Sequence, residues 1–172
     1  FSLGNYNRSQ QLVIDPAITW ATYFGGTNYE HAFSTAVDGS GNIYMTGYTQ
    51  STGSIASDGF QNTFGGANDA FLVKFDTAGT RLWATYFGGT GSDFGQSAAV
   101  DSSGNVYAAG YTETALGIAS GGFQNTFGGG SYDAFLVKFN GTGSRIWATY
   151  YVGSATDVGN SVTIDGSGNV YL

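Results

Sequence analysis

The sequence predicts an all-β protein: a β-propeller of four-stranded antiparallel blades, incomplete, with about 2.7 repeats of 63 to 64 residues in its 172 residues. Three observations carry this. The chain repeats itself, since WATYFGGT at Trp20 returns intact at Trp83 and as WATYYVGS at Trp147, 63 and then 64 residues on. Within each copy, apolar and polar residues alternate with the period of a strand. Composition agrees, with 29 Gly, 16% aromatic and only 10% charged residues, too few of the charged side chains that cover helices.

The elements follow in order. Residues 1–17 lead in, 18–81 form repeat 1, 82–145 repeat 2 and 146–172 a partial repeat 3, all in one propeller domain. In each repeat a first strand, ITWATYF at 18–24 with copies at 82–87 and 146–151, ends in glycine pairs or near-pairs. A second run, AFSTAVD at 32–38, leads into the turn D-x-S-G-N, where Asp can bond its own backbone and Gly or Asn accepts positive φ. A third strand follows as NIYMTGYT at Asn42 and NVYAAGYT at Asn105, and a fourth as AFLVKF at Ala70 and Ala134. The turns D-T-A-G after Phe75 and N-G-T-G after Phe139 connect the fourth strand to the next copy. Between third and fourth strands lie 50–67 and 113–130, which share GFQNTFGG. Their recurring Phe60, Phe64, Phe123 and Phe127 argue for packing, with a ligand loop as the alternative. The single extra residue of the second copy falls just before Asp133, where GGGSYD replaces GGAND; loops tolerate such insertions and strands do not.

Charge and composition exclude several functions. Five Lys and Arg against twelve Asp and Glu leave a net charge of −7, which repels nucleic acid and anionic membrane surfaces. No run approaches the roughly 20 apolar residues of a membrane-spanning helix, so membrane insertion is not expected. With no Cys, disulfides, thiolate zinc sites and thiol catalysis are absent.

Candidate chemistry divides by whether it repeats. His31 is aligned with Phe94 and Val158, so the repeat does not require an imidazole, and nothing selects a nucleophile for it. The carboxylates recur: Glu30, Asp93 and Asp157 at one position, Asp38, Asp101 and Asp165 at another, Asp69 and Asp133 at a third. Catalysis needs one acid and one base, not a copy in every blade, so recurrence predicts turn-binding carboxylates and no catalytic residues. Asp38, Asp101 and Asp165 are the calcium candidates, the one cofactor weighed, although D-x-S-G-N lacks the D-x-D-x-D ladder of an EF-hand. Lys74, Lys138, Arg81 and Arg145 obey the repeat and are expected to pair with the recurring Asp residues. Tyr44, Tyr107 and Tyr171 are the candidate ring platforms for stacking on a ligand such as a sugar; otherwise they pack between blades.

The ordered set W-A-T-Y-F-G-G, A-V-D-x-S-G-N-x-Y-x-x-G-Y-T and D-A-F-L-V-K-F resembles the SBBP-type β-propeller repeat of secreted and surface bacterial proteins. The resemblance runs from Leu12 to Leu172 and includes the leading LVIDPAITWATYFGG. It implies a propeller within a large exported protein, extracellular or at the cell surface, and no settled activity. The expected function is a non-enzymatic binding, adhesive or scaffolding module whose partners are proteins or glycans at that surface. Closed propellers need about 4–8 blades, so the chain is expected to be part of a longer one, its remaining blades in the same polypeptide. Two alternatives stand beside this: a homo-oligomer or filament whose copies close the blades, and the scaffold of a larger secreted enzyme with its catalytic residues elsewhere.

Overall fold

The computed structural model describes residues 18–172; the expected lead-in at 1–17 lies outside the described residues. The strands are β1 (Glu30–Val37), β2 (Ile43–Thr49), β3 (Asp69–Phe75), β4 (Arg81–Phe87), β5 (Asp93–Val100), β6 (Val106–Thr112), β7 (Asp133–Phe139), β8 (Arg145–Tyr150), β9 (Thr163–Ile164) and β10 (Val170–Tyr171). They form two four-stranded sheets, β1-β2-β3-β4 and β5-β6-β7-β8, each antiparallel and in chain order, plus the pair β9-β10. No helix occurs among the described residues, and the sheets do not close into a ring: this is an incomplete propeller.

Sheets and sequence repeats are out of phase by one strand. The Trp-bearing runs at 82–87 and 146–151 close the sheet of the preceding segment, as β4 and β8, instead of opening their own. The expectation of a first strand at 18–24 is therefore corrected: those residues form no ladder, with Ile18 85% and Tyr23 101% exposed. The physical reason is pairing. The strand that β4 and β8 lie beside is DAFLVKF, and residues 1–19 contain no copy of it.

Residues 18–24 nevertheless keep the repeat's contacts with the next blade. A Cβ at Gly79 would lie 2.7 Å from the Trp20 ring, and one at Gly143 2.8 Å from the Trp83 ring. Both glycines also hold positive φ, 81° and 84°, so the turn demands glycine twice, for its backbone and for the indole above it. Phe24 packs on Phe71 and Phe75 with ring centroids 5.1 and 6.1 Å apart; Phe87 packs on Phe135 and Phe139 at 5.1 and 6.0 Å. The principal core cluster thus lies between the two sheets, joining Leu72, Trp83 and Phe87 to Val106, Phe135 and Val137.

The long β2–β3 and β6–β7 loops pack, through Phe64 and Phe127 of the four recurring Phe residues. Each runs back along the outer strand, bridging Ser57 to Ala84 and Gln61 to Tyr86, then Ser120 to Ala148 and Gln124 to Tyr150. This covers edges that would otherwise present unpaired backbone groups. Ile55 and Ile118, within the loops, are completely buried, while Phe64 and Phe127 lie edge-on to Tyr86 and Tyr150. Phe60 crosses to the next blade beneath the Arg145 guanidinium, 4.3 Å from ring centroid; its counterpart Phe123 is 89% exposed.

The indole contact is testable. Trp83→Ala is expected to lower unfolding free energy by about 3–5 kcal/mol. Leu82→Ala, at its half-exposed neighbour, should cost under about 1 kcal/mol. Urea denaturation followed by circular dichroism measures both, and equal effects would refute the role given to the indole.

Candidate functional site

Alternation of strand direction gives each blade two ends. The β1–β2, β3–β4, β5–β6 and β7–β8 turns lie at one, the turn end; the long loops and the links between sheets begin at the other, the loop end.

At the turn end, the calcium candidates are hydrogen-bond acceptors. Asp38 Oδ1 accepts the backbone N–H groups of Ser40 and Asn42, both at 2.9 Å. Its Oδ2 accepts the Asn42 amide at 2.8 Å and the Tyr44 hydroxyl at 3.3 Å. The Lys74 ammonium lies 3.8 Å from the same carboxylate and 4.9 Å above the Tyr44 ring. Asp101, Asn105, Tyr107 and Lys138 repeat the arrangement, with the ion pair at 3.6 Å. Asp165 receives Ser167, Asn169 and Tyr171 in the same way. Burial alone would raise the Asp38 and Asp101 pKa values, but the Asn amides, the turn N–H groups and the lysines together hold them below the usual carboxylate range. Asp165 falls to about 2, chiefly through the Asn169 side chain.

These carboxylates are thus saturated with donors, the opposite of the oxygen cluster that calcium takes. Among the described residues no three or more His, Asp or Glu side chains gather as a metal site. The set instead ties blades together: Lys74 Nζ and Trp83 Nε1 both donate to the Gly141 carbonyl, at 3.3 and 3.1 Å, and the Tyr44 hydroxyl shares its one proton between Asp38 and the Gly104 carbonyl 3.4 Å away. The stacking candidates are corrected here. Tyr44 is 0% and Tyr107 4% exposed, with their rings taken by lysine and Trp83 or Trp147, so neither meets a ligand. Tyr171 is half exposed and donates to Asp165.

At the loop end the other recurring carboxylates reach back to loop N–H groups. Glu30 accepts from Gly26 at 3.1 Å and from the Thr49 and Ser51 hydroxyls. Asp69 accepts from Gly65 and Gly66 at 2.8 and 3.1 Å, and Asp93 from Gly89 at 2.9 Å and from Thr112 and Thr114. Asp69 and Asp93 flank Gly88 so closely that a Cβ there would lie 2.8 and 2.7 Å from them. Burial, with the Asp93 charge added to it, outweighs the loop hydrogen bonds and raises Asp69 to about 6. Burial also raises Asp93 and Asp133. In the second blade the inserted residue alters the loop: Gly128 still donates to Asp133 Oδ2, but the buried Oδ1 has no hydrogen-bond partner. Asp69, Asp93 and Asp133 are fully buried, out of reach of a substrate.

The same end carries an aromatic row of which sequence reasoning singled out only His31, and that as a candidate base. Tyr29, His31 and Phe33 surround Tyr48, with centroids 5.9 Å from it in each case. Tyr48 meets Phe94 of the next blade at 4.9 Å; Phe94 stacks on Tyr111 at 4.8 Å, and Tyr132 closes the row 5.1 Å from Tyr111. Tyr29 is 55% and Phe33 42% exposed. His31 belongs to this row, 4.3 Å from Phe33. The signal was present as disagreement between copies: Tyr29 aligns with Ser92, His31 with Phe94, Phe33 with Gln96 and Tyr132 with Asn68, and only Tyr48 and Tyr111 correspond. The repeating Tyr44, Tyr86, Tyr107 and Tyr150 are the buried ones.

Charge is divided between the ends. Lys74, Arg81, Lys138 and Arg145 all lie at the turn end, balanced by Asp38, Asp76, Asp101 and Asp165. The loop end holds Glu30, Asp69, Asp93, Glu113, Asp133 and Asp157 and, among the described residues, no Lys or Arg. Glu113 accepts the Ser92 N–H at 3.0 Å and the Tyr132 hydroxyl, which foremost keeps that phenol protonated to higher pH.

A family model described as SBBP, beta-propeller repeat, matches residues 19–60, 82–115 and 146–172. The chain is also similar to an uncharacterized WD repeat-containing protein of Acanthamoeba polyphaga mimivirus, 27% identical over 192 aligned residues. That match covers 96% of this chain and 14% of the viral protein, so the chain spans a small fraction of its relative's length.

The raised carboxylates set a pH response. In the unfolded chain they titrate in the ordinary carboxylate range, whereas the fold favours their neutral forms, so stability increases as pH falls through about 6. A thermal midpoint about 5 °C higher at pH 5 than at pH 7.5 is expected by scanning calorimetry. Asp133→Asn, which removes the charge beside the unpartnered Oδ1, should stabilise the protein by up to about 1 kcal/mol at pH 7.5 and less at pH 5. A midpoint that falls on acidification would contradict this account.

Proposed function

Because the chain belongs to the SBBP β-propeller repeat family, we propose that it is a non-catalytic module that binds or scaffolds other macromolecules through the loop end of its blades, within an extracellular or cell-surface protein. Propeller and WD-repeat domains commonly mediate protein interactions. The observation that carries the reading is the aromatic row, exposed at positions where the copies differ. A repeat conserves internally what every blade needs in order to pack, and its turn-end carboxylates, lysines and tyrosines are all spent on that. Large aromatics left on the surface where the pattern breaks have no such use, and exposed rings are what binding faces enrich. The non-catalytic part rests on the recurring carboxylates, which hold turns and loops in place, and on His31, whose neighbours are rings. The extracellular or cell-surface setting is supported by the resemblance of the repeat motifs to those of exported bacterial proteins.

The test is selection from a random peptide display library and a glycan array against the immobilised protein, repeated with Tyr29→Ala/Phe33→Ala. Both substituted side chains are substantially exposed, so the variant should fold with an unchanged circular dichroism spectrum. Selected ligands are expected to lose at least about tenfold in affinity, a change of about 1.4 kcal/mol. Arg81→Ala, at the opposite end, should leave their affinity unchanged. Ligands that respond to Arg81→Ala and ignore the aromatic row would refute the reading.

A further inference from the structure

We propose that the aromatic row takes a cationic peptide: an extended segment whose Lys or Arg side chains lie over the rings while its backbone follows the free edge of β1. This inference rests on the binding role proposed above and names the class of ligand.

Three observations converge. The first is charge. Glu30 immediately precedes His31 in β1 and Glu113 accepts the Tyr132 hydroxyl at the far end of the row, the buried Asp69 and Asp93 belong to the same end of the blades, and no described Lys or Arg lies there. A cation is the ligand that this field favours, and a neutral sugar gains nothing from it. The second is the rings. This chain already places its own cations over aromatic faces at the turn end: Lys74 over Tyr44 at 4.9 Å, Lys138 over Tyr107 at 4.8 Å and, between blades, Arg145 over Phe60 at 4.3 Å. The loop-end rings have no such partner among the described residues, although they present faces and edges in two adjoining corners. One is Tyr48 with Tyr29 and His31, the latter inclined at 83°; the other is Phe94 with Tyr111 and Tyr132, which meet each other at 83°. A desolvated cation between such rings gains both cation–π attraction and the nearby carboxylates. The third is backbone. β1 stands first in its sheet and, among the described residues, pairs on one side only, with β2, so no described strand lies along the N–H and C=O groups of its other edge beside His31 and Phe33. An extended peptide pairs with such an edge and points alternate side chains to one face; a polyamine or an oligosaccharide does not.

The experiment is fluorescence anisotropy with a labelled peptide that alternates Lys and Arg with Thr, beside two controls in which Gln or Glu replaces every cation. The cationic peptide is expected to bind at least about tenfold tighter than the Gln peptide. Its affinity should fall severalfold when salt rises from about 0.02 to 0.2 M. Tyr29→Ala/Phe33→Ala should weaken it about tenfold, and Glu113→Gln should reduce the salt response. Asp165→Asn, an equal loss of charge at the other end, should leave it unchanged. Equal binding of the Gln or Glu peptide overturns the inference, as does a cationic peptide indifferent to the aromatic variant, which would mark general attraction to an acidic protein. Spermine competing as well as the peptide, charge for charge, overturns the backbone part. If the Gln peptide or a neutral oligosaccharide binds and is lost in the aromatic variant, the row is a binding site and only the cationic assignment fails. If no probe responds to the aromatic variant, the binding reading fails as well.

Discussion

An indole seated on a glycine turn of the neighbouring blade is the contact on which the rest of this structure depends. Trp83 lies across Gly143, donates to the Gly141 carbonyl and shares β4 with Phe87, whose ring enters the core of the next sheet. Each four-stranded sheet has two faces to bury and cannot bury them alone, so its stability comes from its neighbours. Trp20 and Phe24 make the equivalent contacts with the first sheet although their own segment forms no ladder, which shows that blade-to-blade packing and strand pairing are separable here.

Around this contact the repeating polar groups have structural tasks. The turn-end aspartates organise their own turns, orient a tyrosine and hold a lysine, and that lysine then bonds the next blade's backbone. A buried ammonium is costly without a partner; here a carboxylate, a ring face and a carbonyl supply one together. The loop-end carboxylates are held less comfortably. They satisfy loop N–H groups, but two of them share the space across Gly88, and burial opposes their charge. The consequence is a molecule with one end electrically balanced and the other acidic, the acidic end also carrying the exposed rings.

Repetition was therefore a good guide to the fold and a misleading one to the site. Tyr44 and Tyr107 recur because both four-stranded blades bury them between a lysine and a tryptophan, whereas Tyr171 in the partial third repeat stays half exposed. Tyr29, Phe33 and Tyr132 do not recur: Ser92, Gln96 and Asn68 stand at the corresponding places. Departures from a repeat are visible in a sequence, but whether they meet in space depends on which strand ends the fold brings together.

From the sequence alone came the blade architecture, the period, the turns and the packing role of the phenylalanine-bearing loops, because those follow from local alternation, glycine placement and self-similarity. The partition of strands among sheets did not follow. A repeat has no intrinsic starting point, and only hydrogen bonding to DAFLVKF decides that WATYF ends a sheet instead of beginning one. Tertiary structure likewise decided which carboxylates share a space, which tyrosines are sealed, and that rings from two blades form one continuous row. These are relations between residues about 20 to 100 positions apart, set by the antiparallel return of strands and by the stacking of one sheet on the next, and no local pattern encodes them.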